Sequence, residues 1–190
     1  MKYSRKLVVF FLVLLLLLNC SRIKPSIPTK KDWVNFQNQT KNGQILKEFE
    51  NFLIKNQVSD VFSLEELLRQ GTDWKNSNEE PFVIPPKKDW TRIVPTLEFI
   101  KKVIIPRLGK LQIVSSYRTK NYNSKAGGAK GSKHLDFNAL DLIPIKKFKR
   151  EELHKILLEI WELEGKRYSF GLGLYSGLRF HIDTSGYRKW

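Results

Sequence analysis

Cysteine is almost absent from this chain, since Cys20 is the only one in 190 residues. A single cysteine excludes intrachain disulfides and every metal site built from several thiolates. Outside the cytosol, stability must therefore come from a hydrophobic core or from a metal held by other ligands. Histidine is also scarce, with three residues, so few histidines are candidates for metal binding or catalysis.

Residues 1–20 have the pattern of an export signal and not of a folded element. Lys2, Arg5 and Lys6 form a basic start, and Leu7 to Leu18 form an apolar run that is short for a membrane span. A sole cysteine directly after a leucine-rich run resembles a bacterial lipobox, although Leu18-Asn19 replaces the usual small residues. We therefore predict a lipoprotein signal peptide over 1–20 with lipidation at Cys20. A plain signal peptide or an uncleaved anchor is the alternative.

Acidic residues are few relative to basic ones, with 19 against 34 and a net charge of +15. This balance favours anionic partners, or it is only a solvated basic surface. Nucleic acid is the general candidate for a basic protein, but an export signal favours cell-wall polymers or anionic lipid head groups. We expect no nucleic acid partner and a monomer.

The remaining chain is long enough for one domain with a core. Residues 21–58 are predicted to be a tether and an accessory helix, with the helix over 43–57, and the domain proper spans 59–190. Its pattern predicts an α+β fold in which a small antiparallel sheet packs against helices. Predicted helices span 95–108 and 148–165, with a short capped helix at Ser63. Strands are expected at 111–116, at 139–143 and around His181, and loops at 72–90 and 121–131.

Two short motifs carry the candidate chemistry. His134 precedes Asp141 by seven residues, and His181 lies on a predicted strand with Asp183 two residues later. Alternate residues of a strand share a face, so His181 and Asp183 should point the same way. Two histidines and one carboxylate make a three-ligand zinc site that leaves one position open. Taken alone, the His134–Asp141 spacing is weak evidence for a metal and favours an ordinary surface or core histidine.

Several short motifs follow one another along the chain: Ser116-Tyr117-Arg118, Gly127-Gly128, Ser132-x-His134-x6-Asp141, Phe180 to Thr184 and Arg188-Lys189-Trp190. In these motifs, residues 60–190 resemble the zinc D-alanyl-D-alanine carboxypeptidases and dipeptidases, whose relatives include phage endolysins and the hedgehog domain. A subgroup ending in Phe-x-His-x-Asp-Thr and Arg-x-Trp is most similar. One departure is Phe137, where the family usually has glycine, so the loop there is expected to take a different path.

The resemblance implies that His134, Asp141 and His181 hold Zn²⁺. It also implies that Arg118 binds a substrate carboxylate or polarises the scissile carbonyl, with Tyr117 and Ser132 at the substrate side. Ser132 would also orient a ligand. His154 is interpreted as structural or exposed.

The general base is not assigned by these motifs. Many relatives carry an acid three residues before the last ligand histidine, and this chain has Leu178 there. No Asp or Glu lies between Glu164 and Asp183, so Asp183 is the first candidate, either as base or as the residue that orients a ligand histidine. Asp136 is the second candidate.

The implied function is a zinc peptidase that acts on peptidoglycan stem peptides or cross-links containing D-amino acids, as a D,D-carboxypeptidase or an endopeptidase. The protein would be lipid-anchored in a bacterial cell envelope, facing the periplasm or the outside. One alternative is a catalytically inactive cell-wall-binding lipoprotein of the same fold. Another is a basic surface lipoprotein that binds anionic polymers through its charge alone.

Overall fold

The structure is a computed structural model that describes residues 26–190. The predicted signal peptide and its lipidation site at Cys20 lie outside the described residues. Within residues 26–190, no helix has the length and apolar character needed to cross a bilayer.

Five strands form one sheet in the order β1-β2-β4-β3-β5. All neighbours are antiparallel except β3 and β5, which pair in parallel. The α+β prediction is confirmed, while the parallel edge pair is a feature that the predicted antiparallel sheet did not include. The strands are β1 (Leu111–Ser115), β2 (Ala139–Pro144), β3 (Gly171–Leu174), β4 (Phe180–Asp183) and β5 (Arg188–Lys189).

Seven α-helices accompany this sheet in the described residues. They are α1 (Lys30–Gln37), α2 (Asn42–Lys55), α3 (Leu64–Leu67), α4 (Trp90–Phe99), α5 (Ile105–Leu108), α6 (Lys120–Lys125) and α7 (Arg150–Glu164). Short 3₁₀ helices span Lys87–Asp89 and Lys133–Asp136. The predicted capping box at α3 is present, because Ser63 Oγ accepts from the Glu66 N–H and the Glu66 carboxylate accepts from the Ser63 N–H.

The helix predicted over 95–108 ends at Leu108 as expected, but its predicted start was wrong. The helix expected from Pro95 begins at Trp90, because the chain is already helical through Lys87–Asp89 and the indole N–H of Trp90 donates to the Pro85 carbonyl. It continues past Pro106 through a π-helical turn at Ile100–Ile104, which changes the hydrogen-bond spacing ahead of the proline.

The first half of the predicted loop over 121–131 is helical, because α6 begins at Lys120 and ends at Lys125. Thr119 Oγ caps this helix by accepting from the Tyr122 N–H. A threonine three residues before a buried aromatic is a weak signal, and the glycines that follow it at Gly127 and Gly128 favoured a loop.

The N-terminal helices share one core with the rest of the chain. Phe49 of α2 is fully buried, and its ring lies 5.0 Å from Trp90 and 5.9 Å from Phe137. Phe36, Leu46 and Leu53 are buried in the same cluster. α1 and α2 therefore belong to the hydrophobic core, and α2 packs against Phe137 in the segment that precedes β2.

Phe137, at a position where the resemblance predicts glycine, takes a left-handed conformation with φ 52° and ψ 44°. Glycine adopts this conformation without strain, whereas a bulky residue incurs a cost of about 1–3 kcal/mol. The ring of Phe137 is fully buried and packs edge-on against Tyr117 at 6.1 Å. Burial of the ring between Tyr117 and Phe49 offsets that strain.

We expect Phe49→Ala to lower the free energy of unfolding by about 3–5 kcal/mol, because it removes a buried ring and leaves a cavity. Ile54→Ala on the same helix is the matched control. Ile54 is 55% exposed, so its loss should cost no more than about 0.5 kcal/mol. Urea denaturation measures both, and equal values for the two variants would show that α2 does not belong to the core.

Candidate metal centre

The pairing of β2 with β4 brings two of the three predicted ligands together. Asp141 on β2 lies directly opposite His181 on β4. His134 comes from the 3₁₀ helix Lys133–Asp136, just before β2. One ligand atom from each of these three residues lies within 4.8 Å of the others, and all three residues are buried. The fold therefore assembles the predicted ligand set into one cluster.

The ring orientations of both histidines suit a metal. His134 Nε2 lies 3.2 Å and His181 Nδ1 lies 3.1 Å from the same oxygen of Asp141, Oδ1. The opposite nitrogen of each ring has its own acceptor: His134 Nδ1 lies 2.7 Å from the Ser116 carbonyl and His181 Nε2 lies 3.0 Å from Asp183 Oδ2. Protonation on those outer nitrogens leaves both lone pairs directed at the cluster, as zinc requires.

Asp183 has every hydrogen-bonding position occupied. It is fully buried, and besides His181 it accepts from Arg188 at 2.6 Å, from the Ser185 N–H at 2.9 Å and from the Ser185 hydroxyl at 2.5 Å. Of the two roles predicted for Asp183, this environment suits the orientation of His181 better than the acceptance of a proton from substrate or water.

Arg118 stands on the other side of Asp141. Its Nη2 donates to Asp141 Oδ2 at 2.7 Å and its Nε donates to Ser115 Oγ at 2.7 Å. Ser115 in turn donates to the Gln70 carbonyl. Arg118 is thus held rigidly beside the ligand carboxylate, and it also lines the cleft in front of the cluster.

The other predicted site residues are spread out. Ser132 lines the cleft. In the described part of the chain the cleft wall does not include Tyr117, whose ring packs on Phe137. Asp136 likewise faces away from the cleft, with an ion pair to Arg92 at 3.4 Å.

The cleft in front of the cluster has a volume of about 460 Å³. The cleft also includes residues that were not predicted as site residues, among them Asp73, Tyr175, Arg179 and Trp190. Tyr175 Oη lies 3.5 Å from Asp141 Oδ1, and the Trp190 ring centroid lies 5.1 Å from that of His181. No sequence signal marks Asp73, which lies in a polar loop far from the motifs, whereas the Arg-x-Trp motif did include Trp190.

The electrostatics of the cluster differ between the two histidines. Burial lowers the pKa of His134 to about 4. Burial also acts to lower the pKa of His181, but hydrogen bonds to Asp141 and Asp183 outweigh it and raise that pKa above the ordinary 6.5. Burial alone would raise the pKa of Asp141, yet the interactions with His134, His181 and Arg118 hold it well below its usual range. The cluster thus presents an ionised carboxylate between the two rings.

Two histidines and one carboxylate beside a cleft would hold a single zinc ion as in zinc hydrolases, which use three protein ligands and a water. The chain belongs to the peptidase M15 family, whose model matches residues 60–179 under the description Peptidase M15. This match confirms the resemblance at the level of the family, and M15 peptidases are zinc-dependent metallopeptidases. It includes Arg118, His134 and Asp141 and ends two residues before His181. No curated protein matches the chain, and no solved structure does.

Replacing His134 tests the ligand set. We expect about one zinc per chain in the full-length protein purified in detergent and a loss of that zinc in His134→Ala, because two remaining ligands hold the metal poorly. His154→Ala is the matched control, since His154 lies on α7, away from the cluster. Metal content by atomic emission measures both. Equal zinc in His134→Ala and the native protein would disprove the site.

Zinc affinity should depend on pH through His181. Zinc binds only the neutral ring, so affinity is constant above the raised pKa of His181 and falls about tenfold per pH unit below it. His134 adds no further loss until the pH approaches 4. Competition with a chromophoric chelator between pH 5 and 8 measures this dependence, and an affinity that stays flat over the whole range would contradict it.

Proposed function

We propose that this zinc peptidase hydrolyses peptide bonds of peptidoglycan stem peptides or cross-links that contain D-amino acids, as a D,D-carboxypeptidase or an endopeptidase. The observation that carries the proposal is the buried His134–Asp141–His181 cluster at the wall of a cleft in an M15 chain. Lewis acidity toward a carbonyl oxygen, together with a lowered pKa of a coordinated water, is the chemistry that zinc supplies when bound at such a site.

Asp73 is the proton acceptor in this proposal. Asp183 is fully occupied by His181, Arg188 and Ser185, and Leu178 takes the place of the family's usual acid. Apart from the ligand Asp141, Asp73 is the one carboxylate among the described residues that line the cleft. Its backbone N–H donates to Tyr122 Oη at 3.2 Å, which fixes this part of the loop against the cleft wall.

Arg118 and Tyr175 stabilise negative charge on the carbonyl oxygen. Both line the cleft and both contact Asp141, so they stand on either side of the ligand carboxylate. Because Nε and Nη2 of Arg118 are bound to Ser115 and Asp141, its guanidinium is already oriented before substrate arrives. Fixed donors of this kind contribute more than mobile ones, since they need no reorganisation during the reaction.

The substrate and the location are supported by the chain outside the cluster. The family resemblance favours D-amino-acid peptides, and the pattern of residues 1–20 favours lipidation at Cys20 and a place in a bacterial cell envelope. A net charge of +15 suits an anionic wall or membrane surface. In this proposal the protein acts as a monomer anchored by lipid, on peptidoglycan and not on nucleic acid.

A catalytically inactive wall-binding lipoprotein is the second candidate. Leu178 in place of the usual acid and the full occupation of Asp183 both favour it. Such a protein would retain zinc and bind stem peptides in the same cleft without turnover.

Two isosteric variants separate the roles of the two acids. We expect Asp73→Asn to lower kcat for D-alanine release from a stem peptide by about 10²–10⁴-fold with zinc content unchanged, because it removes the proton acceptor. Asp183→Asn should weaken zinc binding about 10–100-fold and recover turnover when zinc is raised.

Turnover by the zinc-loaded full-length protein, followed by chromatography of the products, measures these effects. A normal kcat in Asp73→Asn would exclude Asp73 as the proton acceptor. If the native protein carries zinc and binds stem peptides but never cleaves them, the inactive wall-binding candidate is correct.

A further inference from the structure

Arg179 lies on the loop that joins β3 to β4, two residues before the ligand His181. Its side chain is half-buried and lines the cleft in front of the metal cluster. The position is therefore fixed relative to His181 by a single short stretch of chain.

Tyr175 holds the guanidinium of Arg179 in place. The two stack at 4.1 Å from guanidinium carbon to ring centroid, a contact that stabilises an arginine over an aromatic face. The hydroxyl of the same tyrosine reaches Asp141 Oδ1 at 3.5 Å. Arg179 is thus positioned beside the cluster through one aromatic ring that contacts both.

The cleft arginines differ in what they bind. Arg118 is paired with Asp141 and Arg188 with Asp183. Within residues 26–190, no carboxylate forms an ion pair with Arg179. Stacking uses only the face of the guanidinium, so the N–H groups at its edge are free for a bidentate contact with a carboxylate. Lys133 also lines the cleft, but an ammonium on a flexible chain lacks this planar geometry.

We propose that Arg179 binds a carboxylate of the peptide substrate close to the scissile bond. This inference rests on the proposed function and specifies its substrate class, namely peptides with a free carboxylate within reach of the cluster. The carboxylate is either the C-terminal one, as in a D,D-carboxypeptidase substrate, or a side-chain carboxylate of a neighbouring residue. Arg118 then remains with Asp141 and the reacting carbonyl, and Arg179 determines specificity.

Binding to peptide pairs tests the proposal independently of turnover. N-acetyl-D-alanyl-D-alanine is compared with its C-terminal amide by calorimetry on the full-length zinc-loaded protein in detergent. A second pair, amidated at the C-terminus, carries D-glutamate or D-glutamine before the last residue. We expect the native protein to bind the acid of one pair about 10–100-fold more tightly than its neutral partner, and the pair that shows the preference identifies the source of the carboxylate.

Arg179→Gln should abolish that preference by weakening the acid alone, and Arg179→Lys should restore only part of it, because charge remains without the planar fork. Arg167→Gln is the matched control, since Arg167 also stacks on a tyrosine, Tyr168, but lies outside the cleft. Where turnover is measurable, the change in Arg179→Gln should appear in KM and not in kcat.

Two results would overturn the inference: no acid preference in the native protein for either pair, or an acid preference that persists in Arg179→Gln. An acid preference without hydrolysis by the native protein would refute the proposed peptidase activity and leave the role of Arg179 intact.

Discussion

The pairing of Asp141 with His181 across β2 and β4 is the contact on which the site depends. It places a carboxylate and an imidazole face to face at the centre of the sheet, and it leaves His134 to approach from the preceding turn. A shift of β4 by one residue relative to β2 would turn His181 to the opposite face from Asp141 and destroy the site. The ladder that builds the fold therefore also builds the metal cluster.

Glycines in β3 make room for the residues that support His181. A side chain at Gly171 would put its Cβ 2.5 Å from Asp183 Oδ2, and one at Gly173 would lie 2.8 Å from the Trp190 indole. Both distances are shorter than normal carbon contacts. Asp183 and Trp190 pack around His181 and lie close to β3. This close approach is possible only because Gly171 and Gly173 have no side chains.

Charge in the buried site is balanced by arginines at its edges. Asp141 is paired with Arg118, and Asp183 with Arg188, at 2.7 and 2.6 Å. Buried carboxylates without such partners would carry a desolvation penalty of several kcal/mol each. The pairs keep both carboxylates ionised, so one can bind metal and the other can orient a ligand ring. Among the described residues, Arg179 is the cleft arginine that no carboxylate pairs with.

The fold class and the grouping of His134, Asp141 and His181 could be predicted from the sequence, because the order of the motifs resembles that of a known family and a strand places alternate residues on one face. His181 and Asp183 share a face as a strand requires, and their contact at 3.0 Å follows from that spacing. Asp73 and Arg179 could not be found in this way. Asp73 reaches the cleft through packing of an irregular loop on Tyr122, and Arg179 is distinguished only by its stacking on Tyr175.

Local structure was harder to predict where tertiary contacts override the local signal. The helix start at Trp90 depends on a hydrogen bond to the Pro85 carbonyl, and the left-handed Phe137 depends on burial against α2 and Tyr117. No sequence pattern marks Pro85 as the partner of Trp90, or α2 and Tyr117 as the partners of Phe137.

The most direct test of this account is the position of zinc in crystals of the zinc-loaded protein, located by anomalous diffraction at the zinc edge. We expect one zinc bound by His134 Nε2, by the Asp141 carboxylate and by His181 Nδ1, with His181 Nε2 still bonded to Asp183. Zinc at any other place, or bound through His181 Nε2 with Asp183 displaced, would contradict it.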